Sequence, residues 1–378
     1  MDEETLAALR EQLERAAAHD LYDDVEGVDS EAAFREVPFL TGADLTADYE
    51  YHAPEGSLYD GAAMMCFTPL GDGLAPVFDT ERDLTWQAEA NAEVFAAAGI
   101  DPGDRVLNTF GYHTFGTGII VQRGLTALGA EVIPAGPGDS EQAAGTIAEY
   151  DVDALVGNPS FALKIGAAGG RVDTFVGAGE PFTSIPGLRE DVKAALEATT
   201  AVDYFGTRQI LPVAAETAAE DGLYVHEDYA LVEVIDPDTG EVLPYGERGE
   251  LVVTHLRKEA CPLVRYRTGD LTEWAARDGR VVLPDGVIGR TDGRLKVKGV
   301  KLYPESLATV LAGFEGLTGE FRLEVTRPAS TDEIRLVVEG DADPEELAAA
   351  VEDRLLVAPD AIDLLEDVGE TGVVDERY

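Results

Sequence analysis

The sequence predicts an α/β protein: a large N-terminal domain with a mainly parallel sheet plus an antiparallel β portion, then a small C-terminal α+β domain. Three observations carry that reading. Between Arg105 and Phe205, short apolar runs alternate with amphipathic stretches, the rhythm of a parallel sheet covered by helices. After Gly222 the pattern changes to alternating strands and tight turns, which suits antiparallel pairing. At 378 residues the chain is long for one core. A seam rich in glycine and arginine, Tyr266 to Pro304, precedes a terminal segment large enough to fold by itself, so domains are expected at 1–291 and 292–378.

The elements follow in order. Leu6, Leu9, Leu13 and Ala17 share one face of an N-terminal helix within residues 1–20. Asp20 to Tyr59, punctuated by Pro38, Gly42, Pro54 and Gly56, reads as an irregular surface stretch. Ala62 to Phe67 reads as a buried strand running into a loop from Thr68 to Pro76. A long helix is expected from Asp79 to Gly99, starting near Thr80 or Asp83. Strands at 105–110, 131–135, 154–157, 174–177 and 202–205 alternate with helices at 116–128, 140–150, 160–168 and 188–198. In the antiparallel part, Leu231–Ile235 and Glu241–Leu243 flank the turn Asp236–Gly240 as a hairpin. Strands at 250–255, 263–266, 280–283 and 295–300 follow. The terminal segment offers a helix at 305–312, strands at 321–326 and 333–339, a helix at 344–357 and a strand at 361–365.

Composition narrows the function. Acidic residues number 74 against 28 basic ones, for a net charge of −46 spread along the whole chain. Such a surface stays hydrated where salt screens its self-repulsion, so a high-salt cytoplasm is the expected setting. The same field repels nucleic acid, and no basic patch with interleaved aromatics offsets it. No apolar run approaches the roughly 20 residues of a membrane span, and the N-terminus lacks a signal-peptide pattern. Cys66 and Cys261, without metal-ligand spacing, read as buried free thiols. Six of the basic residues are lysines, and Lys296, Lys298 and Lys301 cluster in the seam, which suits an anionic ligand or a solvated strand edge.

The most specific motifs are Tyr266-Arg267-Thr268-Gly269-Asp270-Leu271, the block from Ile235 to Pro244, and Gly289-Arg290-Thr291-Asp292 leading to Lys296 and Gly299. Asn158-Pro159-Ser160-Phe161 and Gly177-Ala178-Gly179-Glu180-Pro181 accompany them. In this order the chain resembles the adenylate-forming acyl-CoA ligases, in their phenylacetate-CoA ligase-like branch, well over residues 60–304 and more loosely beyond.

The resemblance implies activation of a small carboxylic acid (aryl or acyl) with ATP, as an acyl-adenylate, then transfer to coenzyme A with release of AMP. It implies that the C-terminal domain is a lid that turns between the two steps. Asp270 would accept from the ribose hydroxyls, with Arg290 beside it. Asp292 would be the hinge, Lys296 a catalytic lysine beyond it, and Gly299 the place where a side chain would obstruct the pantetheine arm. Gly179, Glu180 and Pro181, with Asp203, Tyr204, Phe205 and Gly206, would line the adenine, an aromatic ring stacking on the base. Tyr112, His113 and Phe115 would shape the acyl pocket. The branch also implies a homodimer.

Each residue has a plainer reading. Asp270 could cap a turn, Arg290 could pair with a surface carboxylate, Gly299 could mark a bulge, and Tyr204 and Phe205 could be core. His113 could be ordinary surface.

The departures all fall on the ATP-activating half. Where the family has a hydroxyl- and lysine-bearing phosphate loop, this chain has Leu70-Gly71-Asp72-Gly73-Leu74-Ala75-Pro76. Where a glutamate helps hold magnesium, it has Phe205-Gly206-Thr207-Arg208-Gln209, an amide with an added cation; Arg208 could stand in for the missing charge. The C-terminal glycine-lysine pair is missing from the ending that runs from Val368 to Tyr378. We therefore expect either an AMP-forming ligase, with Arg208 and Gln209 in its catalytic set and no protein metal set selected, or a member that binds AMP, acyl-adenylate or acyl-CoA without full ligase activity.

Overall fold

The computed structural model describes residues 3–377 apart from 23, 24, 26, 60, 71, 72, 292–294, 299, 303–306, 308, 309, 312, 315, 329, 330, 356 and 370. Its largest sheet has nine strands. Five are parallel, in the spatial order Glu131–Pro134, Arg105–Asn108, Ala154–Gly157, Thr174–Ala178, Thr200–Phe205. Four antiparallel strands extend it: Ala214–Ala215, Leu223–Val225, Arg280–Leu283 and Ala275–Arg277.

Residue alternation in the parallel strands explains why both faces are covered. Val106, Val156, Val176 and Val202 join one core with Val94 and Phe95 of helix Glu81–Ala97 and with Ile120 and Val121 of helix Thr117–Leu128. Their chain neighbours Leu107, Leu155, Phe175 and Ala201 join the opposite core under helices Ser140–Tyr150, Pro159–Ala167 and Leu188–Leu196. Period-2 alternation thus feeds two helical layers from a single sheet. Helix Glu81–Ala97 starts where the sequence places it: Thr80 and Asp83 form a reciprocal capping box.

A second sheet, Ala230–Ile235, Arg248–His255, Tyr266–Glu273 and Val287–Arg290, is antiparallel. Here the expected hairpin is corrected. The turn from Asp236 to Gly240 forms, but a single bridge joins Ile235 to Val242, and Ala230–Ile235 pairs along its length with Arg248–His255. Pro244 cannot donate to a ladder, and the buried Val232 and Val234 find their apolar partners on the longer strand. The strand expected at 263–266 instead starts at Tyr266.

Two further expectations change. The stretch from Asp20 to Tyr59 carries helices Glu31–Arg35 and Gly42–Tyr51, capped by Ser30 and by a Thr41–Asp44 capping box, and it buries Phe34, Val37, Leu40 and Leu45. The loop expected from Thr68 to Pro76 lies largely within a hairpin of Met64–Leu70 and Gly73–Asp79. Seven pairs run from Met64–Asp79 to Leu70–Gly73, leaving a connection of two residues. The first of these strands is half-buried, with Met65 54% exposed.

From Val297 onward the apolar residues form a core of their own, drawn from Leu323, Val325, Ile334, Leu336, Val338, Leu347 and Val351. It packs between a sheet ordered Ala361–Leu365, Glu333–Gly340, Leu317–Thr326, Gly372–Asp375 and helix Pro344–Leu355. The helix expected at 305–312 falls mostly outside the described residues.

Candidate functional site

The parallel strands all end on one edge of the sheet, and ligands of open α/β sheets bind outside those carboxyl ends. The loops leaving that edge hold most of the residues singled out above. After Arg105–Asn108, Asn108 staples the loop: its Nδ2 donates to the Tyr112 hydroxyl at 2.8 Å and to the Gly118 carbonyl at 2.9 Å. Burial raises the Tyr112 phenol above its ordinary range, so it stays protonated. His113 and Phe115 are exposed, their rings edge to face at 5.2 Å. The hairpin reaches this loop through Phe67 N–H, which donates to the Thr114 carbonyl at 2.9 Å.

After Thr174–Ala178 comes Gly179, which has φ +80° and starts the turn into Glu180. Glu180 accepts from Ser160 N–H at 3.0 Å and from the Ser160 hydroxyl at 2.7 Å, at the start of helix Pro159–Ala167, where an anion suits the helix dipole. Pro181 follows, half-buried. Ser184 donates to the Val287 carbonyl at 2.7 Å, which docks the strand carrying Arg290 onto this loop.

The residues at the end of Thr200–Phe205 divide. Asp203 is buried and accepts from Thr183 N–H at 3.0 Å; burial, with the nearby Glu216 carboxylate adding to it, pushes its carboxyl up to about 7. Glu216 itself receives both terminal nitrogens of Arg189, at 2.7 and 2.9 Å. Asp203 therefore props the loop from below. Tyr204 must be corrected: it is 1% exposed, its hydroxyl donates to Asn91 Oδ1, and its ring packs on Phe95. Strand alternation puts it on the face of Val202, inside the core, where no base can stack. Phe205, half-buried, keeps a face outside that core. Gly206 is required by a tight turn: a Cβ there would sit 2.8 Å from the Ile210 carbonyl.

Arg208 is enclosed by the protein. It is buried, and Nη2 pairs with Asp79 Oδ2 at the end of the hairpin. Lys258 takes the other Asp79 oxygen, donates to the Phe78 carbonyl at 2.9 Å and lies 3.4 Å from Asp83. Against the upward push of burial, the two cations hold Asp79 below the usual carboxylate range. Arg208 Nε and Nη1 are buried, and the guanidinium lies against the Cys66 thiol. Gly116, at φ +70°, admits this convergence: a Cβ there would lie 2.3 Å from Cys66 Sγ.

Gln209 lines a water-sized, mostly apolar cavity with Thr68, Leu70, Cys261 and Leu263. The Gln209 backbone carbonyl accepts from His255 Nε2 at 3.0 Å, while His255 Nδ1 accepts from Leu263 N–H at 3.0 Å. Burial first, and Lys258 second, push the His255 imidazole down to about 3, so it stays neutral. Asp79 and Lys258 escaped the sequence reading. The signal available was scarcity, because a lysine outside the seam is rare in so acidic a chain.

The seam is intact as a strand pair. Asp270, 6% exposed, lies directly opposite Arg290, whose Nη1 pairs with Asp270 Oδ1 and whose Nη2 donates to the Thr268 carbonyl at 3.0 Å. Asp270 N–H donates to Thr268 Oγ1 at 3.0 Å, and Thr291 N–H to the Gly269 carbonyl at 2.8 Å. Lys296 is the backbone partner of Lys301, and its side chain lies outside the described residues. Asp292 and Gly299 also lie outside them. Lys298, at φ +51°, is no anion ligand: its Nζ donates to both oxygens of Asp360 at 2.7 Å, and its N–H to Asp332 at 3.0 Å. Among the described residues no group of three or more His, Cys, Asp or Glu is arranged to hold a metal.

No family model matches the chain. In sequence it is similar to the phenylacetate-coenzyme A ligase of Escherichia coli (strain K12), 33% identical over 276 residues, covering 69% of this chain and 62% of that protein. The enzyme of that name from Thermus thermophilus is 34% identical over 276 residues, covering 69% and 61%. This chain thus spans about three fifths of the length of these curated relatives. In structure it is similar to a 2-hydroxyisobutyryl-CoA ligase in complex with 2-HIB-AMP and CoA (TM-score 0.85, 23% identity, 99% of this chain and 89% of that one). The amide bond synthetase McbA from Marinactinospora thermotolerans follows at TM-score 0.63 and 18% identity, over 82% and 67%.

The doubly covered sheet, the antiparallel sheet with its Asp270–Arg290 pair and the separate terminal core together define the adenylate-forming ligase fold. The chain has that fold. In sequence its relatives at 33% and 34% identity are phenylacetate-coenzyme A ligases.

Proposed function

We propose that this chain joins a small carboxylic acid to AMP and passes the acyl group to coenzyme A. The carboxylate oxygen attacks the α-phosphorus of ATP and pyrophosphate leaves; the thiol sulfur then attacks the acyl carbon, AMP leaves with the bonding pair, and the thiol proton passes to solvent. The observation that carries this reading is the docking of the Asp270–Arg290 strand pair onto the loop Gly179–Ser184, through the 2.7 Å bond from Ser184 to Val287.

In this reading the nucleotide lies between them: Asp270 receives the ribose, Arg290 holds Asp270 in place, and the outer face of Phe205 stacks on the base. Tyr112, His113 and Phe115 border the acyl group. Residues 292–378 act as the lid, with Asp292 at the hinge and Lys296 and Gly299 just beyond it. The cytoplasmic setting accords with two free cysteines, Cys66 and Cys261. Homodimerisation rests on the resemblance alone.

A second reading has its own support. The two-residue hairpin connection, the neutral Gln209 and the enclosed Arg208 all favour a member that binds AMP or acyl-adenylate without efficient use of ATP. Pyrophosphate release from ATP, in molar KCl, with a panel of aryl and short-chain acids and with or without coenzyme A, separates the two. Release that depends on an acid supports the ligase; AMP binding with no release for any acid supports the second reading.

A further inference from the structure

The position that the resemblance assigns to a magnesium-holding carboxylate is Gln209, and its surroundings do not fit the ion. Magnesium asks for six oxygens in a near-octahedral set, with carboxylates supplying the protein's share. Gln209 is neutral, and it lines a cavity shared with Leu70, Cys261 and Leu263. The residue before it is a buried cation. Arg208 and Lys258 already occupy both oxygens of Asp79. Asp83 is equally committed, taking Glu259 N–H at 2.6 Å on one oxygen, and Thr80 N–H at 2.9 Å and Ala260 N–H at 3.0 Å on the other. A dication arriving beside this cluster would meet two fixed cations and no uncommitted carboxylate of Asp79 or Asp83.

The hairpin points the same way. Pairing as far as Leu70–Gly73 leaves two residues where several would be needed to wrap a polyphosphate and its metal. Arg208 leaves the carboxyl edge of the sheet in the turn beginning at Gly206, between the hairpin and the loop of Gly116, and its guanidinium is buried there against Asp79 and the Cys66 thiol. A guanidinium cannot be deprotonated in a protein, so this positive charge persists at every accessible pH.

We propose that this chain handles its nucleotide without a divalent cation held by the protein, the Arg208 guanidinium standing where a metal-binding group would have to be. This rests on the adenylate reading above. The class of ligand selected is a nucleoside monophosphate or its acyl ester, whose single phosphate needs one fixed cation and no chelated metal.

The test is calorimetric titration of the full chain with AMP and with ATP in molar KCl, once with EDTA and once with millimolar magnesium. The expected result is AMP and ATP affinities that agree within about threefold between the two conditions. ATP binding at least tenfold tighter with magnesium overturns the proposal. Arg208→Gln is expected to weaken AMP at least tenfold, and an unchanged affinity in a folded variant overturns the role given to Arg208. If that variant does not fold, the wild-type comparison alone decides.

Conversion of a synthetic acyl-adenylate and coenzyme A to thioester reads the underlying function separately. Thioester formation with magnesium-dependent ATP binding sinks only the metal-free proposal. Absence of both thioester formation and AMP binding sinks the adenylate reading and the proposal with it.

Discussion

Arg290 faces Asp270 directly across two antiparallel strands and ties itself at the same time to the Thr268 carbonyl, two residues before its partner. The pair is thereby fixed by backbone register before any ligand arrives. Asp270→Asn keeps the shape but removes the charge that orients Arg290. It should cost about 1–2 kcal/mol of stability, because Arg290 is partly solvated. AMP affinity should drop by about tenfold or more; unchanged AMP binding in a titration would remove Asp270 from the nucleotide site.

Asp203 makes stability pH-dependent in an unusual direction. Its folded pKa of about 7 lies above the ordinary carboxylate value, so the folded state holds the proton more tightly. The stabilisation is full below about pH 4 and is lost as pH rises through 7. Asp203→Asn should flatten that loss and be about 1–2 kcal/mol more stable than wild type at pH 8. Urea midpoints at pH 5 and pH 8 measure the difference.

His255 acts in the opposite sense. Held neutral to about pH 3 between Leu263 and Gln209, it lends stability above the ordinary histidine pKa that fades as pH falls from about 6.5 toward 3. His255→Gln should shorten the acid limb of the stability curve while costing about 1–2 kcal/mol at pH 7. An acid limb identical to that of wild type would show that another group sets it.

Two neighbouring aromatics should separate cleanly. Tyr204→Phe loses only the bond to Asn91 and should cost about 1 kcal/mol, leaving AMP affinity within about twofold. Phe205→Ala should weaken AMP by about tenfold, the scale of one stacked base. Reversal of this pattern in the two titrations would mean that the ring inside the core is the one that reaches the ligand.

Much of the architecture was legible because apolar periodicity carries it. Helix Ser140–Tyr150 and strand Arg280–Leu283 lie where their patterns put them. Helices Glu31–Arg35 and Gly42–Tyr51 are obscured by Pro38, Gly42 and Pro54, which punctuate the stretch like a loop although Ser30 and Thr41 are cap residues.

The site was legible only in part, for a physical reason. Sequence order shows which residues leave the carboxyl edge, but not which way each side chain turns. Tyr204 and Phe205 are adjacent letters with opposite surroundings, and Arg208 finds its partner 129 residues away at Asp79. Lys298, which its neighbours suggested as an anion ligand, is claimed by Asp360 from a strand boundary 62 residues later.

The two-residue connection between Leu70 and Gly73 also makes the hairpin a natural port for added sequence. Seven paired positions hold the two ends together, so extra residues would extend outward without disturbing register. Lengthening such a connection from 2 to about 12 residues raises the closure cost by only about 1.5 kcal/mol. An insert carrying serine, threonine and lysine would bring phosphate-binding groups to this fold by addition, which no single substitution of the two residues between the strands can do.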